Sequence, residues 1–236
     1  MTEIRLWGLA LSALASIYSP TRTSAQLPPS AAALVEIDAT YEVRSNVTYH
    51  RAGSWEGKLD LYLPRNAEAS TPVLVYFHGG GWVLGHRQDA VPHIIPYLNM
   101  GFAVANVSYR LGPEAPAPAA AVDSVCAVRW VGHHAEEYNL DVDRIVTSGL
   151  SSGGHLALFA ALVPDDHELI QQCATVEEVV ANSMKRLRVA AVVNWLGVTD
   201  VLDVVEGPNE LVWAKQWLAG VATDWRLPRA CLHCPT

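Results

Sequence analysis

Two short stretches of this chain combine residue types and spacings that could transfer an acyl group. Gly149-Leu150-Ser151-Ser152-Gly153 follows the pattern GxSxG. Arg144 to Ser148 before it reads as a short apolar strand, and Gly154 to Leu162 after it reads as a helix, so Ser151 sits where a strand hands over to a helix. Glycines on either side permit a sharp reversal, which projects the Ser151 hydroxyl at a helix N-terminus and makes it a candidate nucleophile. The second stretch, His78-Gly79-Gly80-Gly81-Trp82, directly follows the apolar run Val73 to Phe77. A glycine run leaves backbone N–H groups unobstructed. Such donors stabilise the anion that a carbonyl oxygen becomes in a tetrahedral intermediate, each by about 3 to 4 kcal/mol. Gly80 and Gly81 are candidate donors of this kind, and the N–H of Ser152, immediately after the nucleophile, is a third. A strand-to-helix turn needing only flexibility would also use glycines. The two motifs together, in this order and each after a strand, point to acyl-transfer chemistry.

The elements that must position these groups follow from periodicity. Tyr41 to Tyr49 and Lys58 to Leu63 look like an opening antiparallel pair, the second alternating Leu59, Leu61 and Leu63 against Asp60 and Tyr62. Pro72 to Phe77 and Phe102 to Val107 are near-continuous apolar runs, which belong to a sheet covered on both faces. Ala121 to Tyr138 reads as an amphipathic helix, followed by the strand into Ser151, the serine helix and a helical region around Val176 to Leu187. Val189 to Leu196 supplies one more buried strand. Asn209 to Gly220 is a short helix with Trp213 and Trp217 one turn apart, read as packing anchors. This order of strands and helices implies an α/β fold with a mostly parallel, doubly wound sheet.

Composition bounds the rest. At 236 residues, 50% hydrophobic and 17% charged, the chain suits one domain with a sizeable core. A net charge of −8 excludes the basic footprint of a nucleic-acid binder and suits small-molecule substrates. A charged start, an apolar run from Leu6 to Tyr18 and small residues ending at Ala25 read as a secretory signal peptide over residues 1–25. The run is too short for the roughly 20 residues that span a bilayer. This gives an expected secreted or periplasmic domain over residues 26–236 with no membrane anchor. Cys126, Cys173, Cys231 and Cys234 are too few and scattered for a disulfide framework, and Cys126 reads as a core residue of its helix. Cys231-Leu232-His233-Cys234 offers at most three ligands where a structural zinc takes four, so no metal and no cofactor is expected.

With both motifs in place, the chain resembles an esterase or lipase of the α/β-hydrolase superfamily, in the branch with an HGGG oxyanion loop. Ser108-Tyr109-Arg110-Leu111-Gly112-Pro113-Glu114 resembles that branch's YRLAPE segment. Asp123 with Arg129-Trp130-Val131 resembles the helix before its nucleophile strand, and Gly153-Gly154-His155-Leu156-Ala157 resembles its GGHLA continuation. The resemblance covers roughly Asp60 to Trp217. It implies Ser151 as nucleophile, Gly80, Gly81 and Ser152 as oxyanion donors, and a small ester as substrate.

The resemblance also implies an Asp or Glu and then a histidine, on loops after two further strands. Those strands are not seen in the 85 residues after Ser151. Asp200 comes one place too early and reads as structural. Asp224 and His233 stand in the right order, but no strand precedes either. His78 reads as a brace for its loop, His133 and His134 as a helix end, and His155 as leading away from the active-site face. Two expectations therefore stand side by side: a serine ester hydrolase whose sequence here is shortened, with Val189 to Leu196 left as a sheet edge, or a non-catalytic remnant. HGGGW also resembles the HGGxW signature of arylformamidases, but an export signal disfavours that intracellular role.

Overall fold

The structure, a computed structural model, describes residues 37–164, 167–173 and 187–218. The expected leader, all but the end of the helical region from Val176, and the tail holding Asp224 and His233 fall outside those residues. Along the chain come β1 (Tyr41–Ala52), β2 (Trp55–Pro64), β3 (Thr71–Phe77), a 3-10 turn (Arg87–Ala90), α1 (Val91–Asn99), β4 (Ala103–Val107), α2 (Ala119–His133) and β5 (Leu140–Leu150). Then follow α3 (Ser152–Leu162), α4 (Glu168–Gln171), β6 (Val189–Trp195), α5 (Val201–Val205) and α6 (Val212–Leu218).

The strands form one six-stranded sheet in the order β1-β2-β4-β3-β5-β6. β1 and β2 are an antiparallel pair, β2 runs antiparallel to β4, and β4, β3, β5 and β6 are parallel neighbours. The continuous apolar runs are explained by cover on both faces. Val73, Val75 and Phe77 of β3 join Leu59, Leu61, Ala105 and Val107 in a core closed by α2 and α3. Leu74 and Tyr76 point the other way and meet Ile94, Tyr97 and Leu98 of α1. Each fully buried aliphatic side chain stabilises the fold by about 1.5–3 kcal/mol. Asp60, on the second face of β2, is buried and ion-paired to Arg87 at 2.9 Å.

Two expectations are corrected. Cys126 is in the core, but it is also bonded to Cys173, a disulfide across 47 residues that joins α2 to the chain just after α4. Packing of α4 on α2, which brings Leu169 and Ile170 into the same core as Cys126, is what places the two sulfurs together. Second, β6 is not a buried strand. It pairs with β5 on one side, and among the described residues no strand pairs with the other. Ala190, Ala191, Asn194 and Trp195 are exposed, as an edge position dictates.

Candidate active site

β5 ends at Leu150, α3 begins at Ser152, and Ser151 between them has φ 54° and ψ −118°. A side-chain-bearing residue rarely takes positive φ, so the surroundings must hold it there. They do so through the backbone. The Ser151 N–H donates to the Trp195 carbonyl at 2.8 Å, and the Ser151 carbonyl accepts from the His155 N–H at 3.2 Å. The flanking glycines do more than loosen the turn. A Cβ on Gly153 would collide with the carbonyl oxygens of Phe77 and His78, and one on Gly149 would meet the Phe77 oxygen at 2.6 Å and overlap the Gly153 backbone. The turn therefore rests, backbone on backbone, on the residues where β3 passes into the glycine loop. The spacing of one motif is what brings the other alongside it.

The loop itself takes conformations that favour glycine. Gly80 has φ 129° and Gly81 φ 60°, and Trp82 continues at φ 60°. The Gly80 carbonyl accepts from the N–H groups of Val83 and Leu84, each at 3.1 Å, which closes the loop on itself. Among the described residues, no group accepts a hydrogen bond from the N–H of Gly80 or Gly81. Gly81 is buried, where an unpaired backbone donor is costly. Ser152 opens α3, so its N–H has no carbonyl one turn back within the helix to bond. The structure thus places Ser151 and Ser152 on one backbone turn and Gly80 and Gly81 on the loop that abuts it, with the Gly80 and Gly81 N–H groups unpaired among the described residues.

His78 is a brace, as its position suggested. Its Nδ1 lies 2.8 Å from the Gly79 carbonyl, and its ring stacks on Tyr109 at 4.3 Å between centroids. The Tyr109 hydroxyl in turn donates to the His78 carbonyl at 2.9 Å. Burial holds the His78 imidazole below its usual pKa, so it is neutral at pH 7. Asp123, inside α2, accepts from the backbone N–H of Arg110 at 2.8 Å and from its guanidinium at 2.7 Å, which fixes the segment that carries Tyr109.

His155 is buried and meets the edge of the Trp82 ring, 5.2 Å between centroids, so its side chain touches the glycine loop's own tryptophan. Burial alone pushes its pKa down to about 4. Trp217 of α6 stacks on Trp82 at 4.3 Å, and Trp213 packs against it at 5.4 Å. Both α6 tryptophans are packing anchors, as their spacing suggested, yet what they anchor is the glycine loop. Sequence reasoning missed that contact and the Tyr109 brace, since both join residues far apart in the chain. HGGGW itself was the available signal, because a large aromatic ending a glycine loop needs something to pack on.

Asp200 caps α5, its Oδ1 accepting from the N–H groups of Leu202 and Asp203 at 3.0 and 3.2 Å, which is the structural role expected. Among the described residues, no imidazole is hydrogen-bonded to Ser151. Among them, too, no cluster of three metal-ligating side chains occurs, and no helix is long and apolar enough to cross a membrane.

Comparison with known proteins identifies the chain's family and its fold relatives. The BD-FAE family model matches residues 59–225. Carboxylesterase NlhH of Mycobacterium tuberculosis is 38% identical over 124 residues, covering 49% of this chain and 38% of that one. An arylesterase of Saccharolobus solfataricus is 36% identical over 117 residues, with the same coverages of 49% and 38%. Among solved structures, an esterase of Thermogutta terrifontis superposes with a TM-score of 0.57 at 26% identity, covering 76% of this chain and 61% of its own. The chain thus spans well under half the length of those two curated relatives. The mostly parallel sheet flanked by helices is consistent with those esterases, and the chain belongs to the BD-FAE family, among the carboxylesterase-like α/β-hydrolases.

Proposed function

We propose that this chain carries the nucleophile and anion-binding half of a serine carboxylic-ester hydrolase acting on small esters. Ser151 Oγ attacks the acyl carbonyl, a C–O bond forms, and the carbonyl oxygen takes up negative charge beside the N–H groups of Gly80, Gly81 and Ser152. The alcohol then leaves and water releases the acid. The serine proton passes to a general base that is not among the described residues.

The observation that carries this reading is the buried Gly81 N–H, without an acceptor among the described residues, in a loop that abuts the Ser151 turn. The relatives' names, carboxylesterase and arylesterase, support an ester over a formamide. Export is part of the same proposal. Its supports are the leader-like first 25 residues and the Cys126–Cys173 disulfide, a bond that persists in oxidising compartments.

Incubating the folded chain with an activated aryl acetate and with a fluorophosphonate tests the reading. Turnover, and a label that maps to Ser151 and disappears in Ser151→Ala, are expected. A folded chain that neither turns over nor takes the label is the non-catalytic remnant instead.

A further inference from the structure

A glycine loop is a poor oxyanion hole unless something outside it holds it still. Gly80 and Gly81 sit at φ 129° and 60°, and glycine surrenders the most conformational freedom on being fixed. Preorganised donors are what make such a hole effective. Around Gly80 the restraint is local, since its carbonyl is bonded to Val83 and Leu84. Around Gly81 it is not. The three nearest atoms to a Cβ built on Gly81 all belong to Trp213, with Cδ2 at 2.8 Å, Cε3 at 2.9 Å and Cγ at 3.0 Å. The indole thus occupies the space a Gly81 side chain would need.

The helix that presents this ring is itself tied down. Trp217, fully buried one turn along α6, stacks on Trp82, and its carbonyl accepts from the Ala117 N–H at 2.9 Å. Ala214 is also fully buried, so α6 cannot slide without opening the core. Neither the Trp82 nor the Trp217 indole nitrogen has a hydrogen-bond partner among the described residues. The clamp is therefore made of ring contacts, which depend on shape. Trp213 differs from Trp217 in being only partly buried, so its removal disturbs the core less than it disturbs Gly81.

We propose that Trp213 is a positioning residue for the oxyanion donors: its indole on Gly81 fixes the peptide planes whose N–H groups receive the carbonyl oxygen. This rests on the ester-hydrolase reading above. It adds that an aromatic ring in α6, 62 positions after Ser151, governs how well the transition state is held.

The test is a graded series, Trp213→Phe, Trp213→Leu and Trp213→Ala, with Val212→Ala on the exposed side of α6 as control. Two readouts are taken on chains shown to be folded: kcat and KM for an aryl acetate, and affinity for an aryl trifluoromethyl ketone, whose 19F signal reports the tetrahedral adduct. Shrinking the ring is expected to lower kcat progressively, by about 10- to 100-fold at Ala, and to weaken adduct formation in parallel. KM should stay near wild type, Phe should recover most of the activity, and the control should be silent. A merely structural role would lower the melting midpoint and leave the kcat-to-KM split unmoved, which overturns the inference, as does wild-type kcat in Leu or Ala. If Ala does not fold, Phe against Leu decides. A folded wild-type chain that neither turns over nor forms the adduct instead removes the ester-hydrolase reading itself.

Discussion

Cys126 lies in the middle of α2 and is bonded to Cys173, which follows α4, so the disulfide fastens a short helix to the long one that precedes β5. α4 is only four residues long and could not stand alone. Closing 47 residues restricts the unfolded chain by about 4 kcal/mol in the chain-entropy view. Cys126→Ala with Cys173→Ala is expected to lower the unfolding free energy by about 2–4 kcal/mol in urea titration. The Ser151 turn, built on β5 and β3, should keep its fluorophosphonate label in the folded fraction.

His155 ties stability to pH. Its neutral ring is buried among Trp82, Phe159 and Trp217, and burial alone takes its pKa from 6.5 down to about 4. Below pH 6.5 the unfolded chain binds a proton that the folded chain refuses, so stability falls as pH drops from about 6.5 to 4 and levels off below that. The full effect is on the order of 3 kcal/mol. Urea unfolding at pH 7.5, 6, 5 and 4 should show this loss, and His155→Phe should flatten that part of it. An unchanged slope in the variant would mean the ring takes up a proton freely in the fold.

Gly153→Ala should be among the most damaging small changes in the chain. The added methyl has nowhere to go, because the carbonyl oxygens of Phe77 and His78 occupy the space. Either α3 moves off β3 or the serine turn deforms. A loss of about 3 kcal/mol or more is expected in urea titration, with fluorophosphonate labelling falling further than the folded fraction does. Gly101→Ala is the contrast, since nothing lies within 4 Å of its Cβ position and its only penalty is a positive φ of 83°.

Asp123→Ala strands the Arg110 guanidinium, which donates to both carboxylate oxygens from a largely buried position. Breaking such a pair from one side costs about 3–5 kcal/mol, more than a surface pair would. Thermal melts should show it, and activity should fall with the folded fraction, because the pair holds the segment of Tyr109 and touches no reacting atom.

How much of this was legible beforehand follows from the range of each interaction. β3 and β4 were readable because cover on both faces writes a near-continuous apolar run, the end of β5 because Ile145 and Val146 lead straight into the serine motif, and the serine turn because its glycines are needed within four residues of one another. Element ends were less readable. β5 starts at Leu140 rather than Arg144 because its first residues pair with Thr71 and Pro72 of β3, a partner that no local pattern announces. The same limit hid the Cys126–Cys173 bond and the contact of Trp213 with Gly81, each of which exists only once helices have docked. Trp195, exposed at 54%, shows the converse, for the apolar character of β6 did not translate into burial.

Of the eight tryptophans, Trp82 and Trp217 lie face to face, 4.3 Å apart and 17° from parallel. Two indoles that close couple their electronic transitions, so pulling them apart changes their joint contribution to the circular dichroism. One of the two belongs to the glycine loop and the other to the helix above it. That contribution is thus an optical gauge of whether loop and helix are docked, readable without substrate, inhibitor or label.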